Sequence, residues 1–191
     1  MAKSDVAKGE QIVGSPCLHN AFMFVTMFAF WMILSGRTET KFIVYFIITA
    51  AAATWVTYPL LLVPNREGTK KYFVFGVNPI RFIKYFFWIM YQLWLANIDV
   101  LKATSSQELH INPRVVRFHF LTENPIAMVL LANSITLTPG TVTMNVTKDG
   151  LYEIHALTTG AASGIISGDF PKAIAELYNE PCNFSCDEKE E

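Results

Sequence analysis

Charge is what this chain has least of. Asp, Glu, Lys and Arg make up 16% of its 191 residues, where soluble domains carry roughly 25%. Hydrophobic residues make up 52% and aromatics 14%, so an ordinary water-soluble domain is excluded and a membrane is the first reading. The charges present nearly cancel, at −1 overall. That excludes a nucleic-acid ligand, because displacing counterions from phosphate takes a basic surface. It also removes the electrostatic case for a peripheral protein held by acidic lipid.

Cysteine is almost as scarce. Cys17, Cys182 and Cys186 are too few and too scattered for a disulfide framework, and an odd number suits a reducing side. A glycine-rich phosphate loop, a Gly-x-Ser-x-Gly elbow and a His-Glu-x-x-His helix are all missing, so neither a cofactor nor an enzymatic reaction is expected. Residues 1–17 are mostly polar and offer no small-residue cleavage site after a short apolar core, so a removed signal peptide is not expected.

Long apolar runs are what the chain does have. Residues 18–35 are apolar apart from His19, Asn20, Thr26 and Ser35, just long enough to cross about 30 Å of hydrocarbon at about 1.5 Å per residue. Residues 42–63 carry no charge and include Ala50-Ala51-Ala52-Ala53, small side chains that let another helix approach closely. Only Arg37 to Lys41 intervene, so residues 18–63 are expected to form an antiparallel transmembrane hairpin. Pro64 to Lys71 is net basic and belongs on the cytoplasmic side if positive charge sets orientation.

A third apolar segment, residues 80–102, differs in kind. Arg81, Lys84, Trp88, Gln92, Asp99 and Lys102 fall on one helical stripe. Such an amphipathic helix either lies in the interface or spans with its stripe against partner subunits. The interfacial placement is preferred, since it keeps everything after Val63 cytoplasmic. Asp99 and Lys84 are the ionisable candidates at the membrane. Asp99 reads as an ion or proton group or as a helix-end carboxylate at the headgroups, and Lys84 as a snorkelling anchor.

From Glu108 the composition becomes that of a small soluble domain, residues 108–179. Val116, Phe118 and Phe120 alternate with polar neighbours as one face of a strand. Asn124-Pro125 starts a helix that runs to Ile135. Pro139-Gly140 is the pairing of a type II turn. Strands follow at Thr141 to Thr147, with Val142, Met144 and Val146 on one side, and at Leu151 to Leu157, with Tyr152, Ile154 and Ala156 on one face; Asp149-Gly150 is the hairpin signal between them. Gly160 to Gly168 reads as a small-residue loop, and a short helix from Asp169 puts Phe170, Ile174 and Leu177 on one face. The order β-α-β-β-α describes a three-stranded, ferredoxin-like α+β domain. Residues 180–191 read as an acidic, mobile tail.

The run Ala-Asn-Ser-Ile-Thr-Leu-Thr-Pro-Gly-Thr at Ala132 to Thr141 and the later Leu151 to Ala156 resemble the signature of the MnhE/MrpE family, the E-type subunits of the Mrp- or Mnh-type multisubunit sodium/proton antiporters. Leu95-Ala96-Asn97-Ile98-Asp99-Val100-Leu101 resembles the segment preceding the soluble part in that family. With the hydrophobic half, the likeness covers roughly residues 18–160. It implies a non-catalytic subunit in the cell membrane with a cytoplasmic soluble domain. The implied partners are the small subunits of a cation/proton antiporter and a large proton-pumping subunit. Because the family also occurs in energy-converting membrane hydrogenases, a redox-driven host complex is the alternative. The motif residues are Asn133, Thr136, Thr138, Pro139 and Gly140.

Two further readings compete with a purely structural role. His119, Glu153 and His155 form a zinc-ligand set if their strands are adjacent, against solvated or partner-facing side chains; this would make the chain a membrane-anchored metal-binding enzyme domain. Cys182 and Cys186 lack the further ligands or the redox-active helix that a metal or redox site needs. The hydroxyls of Thr136, Thr138 and Thr141 suggest an ion path but are explained more economically by capping and turns.

Overall fold

The computed structural model describes residues 11–13, 15–105 and 111–186. By contact the chain divides into two units, Met1–Gly76 and Val77–Glu191. A helical part precedes a unit built around a sheet.

In the first unit, α1 (Pro16–Ser35) opens with proline in its first turn, where the missing N–H leaves no bond unmade. It packs on α2 (Thr40–Thr57). Their contact buries Met23, Phe46 and Ala50, the last completely. Their remaining surface is apolar and uncovered: Phe22, Val25, Phe30 and Ile33 on α1, and Tyr45, Ile48 and Trp55 on α2, are all exposed. The uncharged run to Val63 is not one α-helix, however. Pro59 has no N–H to donate, and the chain tightens into a 3-10 helix at Tyr58–Leu61 before extending as strand.

That strand belongs to a small sheet. With β1 as Gln11–Val13, β2 as Leu62–Pro64 and β3 as Lys70–Phe73, the order is β1-β3-β2, β1 running parallel and β2 antiparallel to β3. The basic stretch after Pro64 is thus the β2–β3 turn, held by Asn65 Oδ1, which accepts from the N–H groups of Thr69 and Lys70 at 2.9 and 3.1 Å. His19 lies buried with its ring stacked on Phe73, centroids 4.1 Å apart. Among the described residues, Thr40–Leu61 is the one helical stretch long and apolar enough to cross a membrane, and His19–Ser35 is a shorter apolar helix.

The second unit begins with α3 (Pro79–Ser105) and continues with β4 (Arg114–Phe120), α4 (Pro125–Leu137), β5 (Thr141–Val146), β6 (Leu151–Ala156), α5 (Thr159–Ile166), α6 (Asp169–Tyr178) and β7 (Phe184–Cys186). Its sheet is antiparallel throughout, in the order β5-β6-β4-β7. One core joins sheet and helices. Val116, Phe118 and Phe120 of β4 and Tyr152, Ile154 and Ala156 of β6 are all but inaccessible to solvent, and they pack with Leu131, Ile135, Ile174 and Leu177. Phe118 and Tyr152 are cross-strand partners and stack at 4.9 Å.

Four details depart from the sequence reading. The small-residue stretch after Gly160 is helix, because Thr158 caps it by accepting from Ala161 N at 3.0 Å and Ala162 and Ile165 give it a buried side. A fourth strand, β7, pairs with β4 where a tail was expected. Its Phe184 packs on Phe118, centroids 5.5 Å apart, and that burial holds it there. On β5, Val142 and Met144 face outward at 51% exposure with a bulge between Thr143 and Asn145. The bulge splits the three residues expected on one side, for Val146 packs against the core, and the buried Thr141 uses its hydroxyl to satisfy the end of α4.

The fourth departure concerns α3, which is part of the sheet-containing unit and no separate element. Tyr85 and Ile89 enter that unit's core and Trp88 packs against it. Trp88 meets Phe170 of α6 edge-on at 5.2 Å. Trp88, Gln92 and Asp99 of the polar stripe are therefore half-buried against the chain's own domain, with Arg81, Lys84 and Lys102 exposed, while Ile80, Ile83, Phe87 and Trp94 on the other side of the helix are more than half exposed.

Candidate functional site

The run Ala132 to Thr141 folds as a hydroxyl-locked corner. A helix end leaves carbonyls without intrahelical partners, and here threonines supply the donors. Thr138 Oγ1 donates to Ile135 O at 2.7 Å. Thr141 Oγ1 approaches the same carbonyl at 2.5 Å and lies 2.8 Å from Thr138 Oγ1. Thr143 Oγ1 donates to Ala132 O at 2.9 Å, and Thr136 Oγ1 accepts from Thr143 N at 3.1 Å. These hydroxyls tie α4 to β5. Pro139 and Gly140 turn the chain, Gly140 at φ +86°, a conformation glycine adopts without steric cost. Asn133 is exposed on α4.

This corner is where α3 docks. A Cβ on Gly140 would lie 3.2 Å from Val100 Cγ2, and one on Gly160 would lie 2.9 Å from Asp99 Oδ1. Both glycines therefore exist in close approach to the same helix. Asp99 Oδ2 accepts from Thr158 Oγ1 at 2.6 Å, a charge-assisted bond made at the amino-terminal end of α5, where a helix favours negative charge. Further along α3, the Tyr85 hydroxyl bonds Ser134, which itself donates to Leu130 O at 2.6 Å. Leu95, Ala96, Asp99, Pro139, Gly160 and Phe170 line the resulting cleft, about 270 Å³ in volume. The two sequence segments that carried the resemblance thus meet at one place.

Asp99 is accordingly held by protein. Lys84 lies elsewhere, on the α3–α6 groove, with Nζ 3.2 Å from Glu176 Oε2; both side chains are more than two-thirds exposed, so the pair is worth about 0–1 kcal/mol. Tyr85, Ser134, Thr158 and Gly160 were not singled out by sequence reasoning. Gly160 and Thr158 gave no signal beyond a small-residue stretch, because what gives them meaning is a carboxylate distant in sequence.

The metal-ligand reading is overturned. β4 and β6 are indeed neighbours, but the register puts Arg117 opposite Glu153, Leu151 opposite His119 and Val115 opposite His155. Glu153 Oε1 takes the Arg117 guanidinium at 2.9 Å and Asn145 Nδ2 donates to Oε2 at 3.3 Å. These bonds, Arg117 foremost, hold the Glu153 carboxyl below the usual range. Among the described residues no group of three His, Cys, Asp or Glu side chains could hold a metal ion. Cys182 is a free thiol. Burial raises the Cys182 pKa, and Cys186 Sγ lies 3.5 Å from Arg117 O within β7.

Over 117 residues the chain is 32% identical to the E subunit of the Na(+)/H(+) antiporter of Bacillus subtilis (strain 168), covering 59% of this chain and 73% of that protein. Over 130 residues it is 29% identical to the E1 subunit of the Na(+)/H(+) antiporter of Staphylococcus aureus (strain bovine RF122 / ET3-1), covering 67% and 76%. Among solved structures, one chain of the membrane-bound sulfane sulfur reductase, an archaeal respiratory membrane complex, superposes with a TM-score of 0.58 at 26% identity, over 74% of this chain and 84% of its own. A family model described as Na+/H+ ion antiporter subunit matches residues 24–177, a range that takes in α2, α3, the Asp99 dock and the threonine corner, and the chain belongs to that family.

Proposed function

We propose that the chain is a non-catalytic membrane subunit of a multisubunit Na+/H+ antiporter, needed for the assembly and ion exchange of the complex. The observation that carries this reading is the family match over residues 24–177, which runs through the membrane-like helices and the sheet-containing unit alike. α1 and α2 form a transmembrane hairpin whose uncovered apolar surface lies among lipid and neighbouring subunits. α3 lies in the interface. A helix docked by its polar stripe along a folded domain cannot also cross hydrocarbon without taking that domain with it. Its opposite face, with Ile80, Ile83, Phe87 and Trp94, is suited to the acyl-chain boundary.

The sheet-containing unit is then a cytoplasmic brace. Its antiparallel order, with β4 between β6 and β7, supports reading it as a ferredoxin-like α+β domain completed by the fourth strand. Asp99 and Lys84 act as positioning and surface residues, and the motif Asn133, Thr136, Thr138, Pro139 and Gly140 serves the corner on which α3 rests. Two membrane-crossing helices with no ionisable group at midplane do not make an alternating-access path, so transport belongs to partner subunits: the small membrane subunits and a large proton-pumping one. Purifying the tagged chain from its own membranes and identifying what accompanies it tests this. The expected companions are antiporter subunits, and a monodisperse solitary chain would contradict the reading.

A second reading, with the same scaffold serving a redox-driven ion pump, has the weaker support of the likeness to a chain of a respiratory membrane complex. Companions carrying redox centres would select it.

A further inference from the structure

A groove of about 590 Å³ runs between α3 and α6, with the buried Tyr85 and Leu177 at its floor. Three basic side chains line it, Arg81, Lys84 and Lys172, and two acidic ones, Asp169 and Glu176. The acids are already matched. Lys84 Nζ lies 3.2 Å from Glu176 Oε2, and Lys172 Nζ lies 3.8 Å from Asp169 Oδ1. Arg81 is exposed and has no acidic partner among the described residues, and Gln92, half-buried further along the same wall, makes no hydrogen bond among them. The groove thus holds one positive charge in excess. Residues three and four apart are neighbours on a helix, so Lys84 stands beside Ile80 and Phe87, which are 77% and 67% exposed. The basic wall of the groove therefore adjoins the apolar face of α3, which carries no acidic residue before Asp99.

We infer that this groove binds the headgroup of an anionic phospholipid, a phosphodiester bearing a neutral polyol, as in phosphatidylglycerol. The phosphate takes the Arg81 guanidinium, whose planar fork suits two phosphate oxygens, with Lys84 and Lys172 on either wall. Its glycerol hydroxyls donate to the Glu176 carboxylate and to the Gln92 amide oxygen, and its acyl chains run over Ile80 and Phe87. Charge and shape select the occupant. A phosphodiester brings the negative charge the groove lacks, whereas an ethanolamine headgroup adds an ammonium and leaves the excess in place. A free phosphate leaves Ile80 and Phe87 in water. Because the whole chain is close to neutral, at −1, it has no general attraction to acidic lipid, and the basic excess of this pocket at the membrane surface recognises single molecules. The inference rests on the proposed interfacial placement of α3, and it adds which lipid that placement holds and by which residues.

The test places the full chain in nanodiscs of phosphatidylethanolamine and phosphatidylglycerol and counts, by native mass spectrometry, the lipid that stays on the protein. The wild-type chain retains phosphatidylglycerol in preference to phosphatidylethanolamine. Arg81→Gln on α3 and Lys172→Gln on α6 each lower that retention at least fivefold. Lys102→Gln removes the same charge from α3 outside the groove and leaves retention unchanged. The unfolding midpoint of Arg81→Gln stays at the wild-type value, since no bond among the described residues is lost, so the loss is one of binding and not of folding. Equal retention of the two lipids, undiminished retention by the Arg81→Gln/Lys172→Gln pair, or replacement of the lipid by inorganic phosphate at equal concentration would overturn the site. Brominated acyl chains test the placement of α3 separately, through the quenching that disappears in Trp94→Phe. Quenching of Trp94 without a preference for phosphatidylglycerol overturns the site alone, and absence of quenching overturns placement and site together.

Discussion

Asp99 on α3 and Thr158 at the start of α5 are joined by a 2.6 Å hydrogen bond, and the same Thr158 oxygen accepts from Ala161 N at 3.0 Å. One hydroxyl therefore caps a helix and fastens α3 to the folded domain. Because the acceptor is a carboxylate, its loss costs about 1.5–3 kcal/mol. Asp99→Ala should lower the unfolding midpoint of the full chain accordingly, and Thr158→Val should lower it similarly, while Thr158→Ser should be nearly neutral. Wild-type stability in Asp99→Ala with exchange abolished would show an ion-carrying carboxylate instead.

Gly160 tests the same dock from the other side. A methyl group there would stand 2.9 Å from Asp99 Oδ1, so Gly160→Ala should destabilise by about 1–3 kcal/mol, the range for overpacking. In the Asp99→Ala background the penalty should shrink, since the clashing atoms are gone. Strict additivity of the two substitutions in a double-mutant cycle would mean that they do not touch.

The pH dependence of Glu153 follows from Arg117. The folded carboxyl is held below its ordinary value, first by the Arg117 hydrogen bond. Its stabilising contribution is thus present above the unfolded carboxylate pKa and is lost as pH falls through the lower, folded value. Arg117→Gln should move the Glu153 titration upward in carbonyl-resolved NMR, and an unmoved titration would place its cause elsewhere.

Ending the chain after Glu180 removes β7 and the packing of Phe184 on Phe118. If the segment were a solvated tail, unfolding would not notice. The structure instead predicts a lower midpoint, with Phe184→Ala alone costing about 1–3 kcal/mol, below the range for a fully buried phenylalanine because this one is half-buried.

Where the chain's own neighbours decide the structure, the sequence was readable. The Asn124-Pro125 start of α4, the Pro139-Gly140 turn and the alternation of β4 and β6 are local signals, and each produced the element anticipated. Asn124 Oδ1 accepts from Ile126 N at 3.0 Å, as a cap does. Burial against distant partners was not readable. β7 is three residues long, too short to carry a period, and the strand exists because β4 has an open edge. The stripe from Arg81 to Lys102 was visible as a stripe, but periodicity does not say whether headgroups, a partner or the chain's own domain faces it. Asp99 drew notice as a charge in an apolar run, and its partner, 59 residues away, was beyond any local pattern.

On the proposed reading, this chain supports exchange without conducting it. The most direct measurement is Na+/H+ exchange in proteoliposomes containing the complex purified with the chain, without it, and with its Asp99→Asn variant. Expected are exchange with the wild-type chain, loss of exchange and of partner subunits without it, and exchange in proportion to assembled complex for Asp99→Asn. Full exchange by a complex lacking the chain, or exchange by the chain alone, would contradict it.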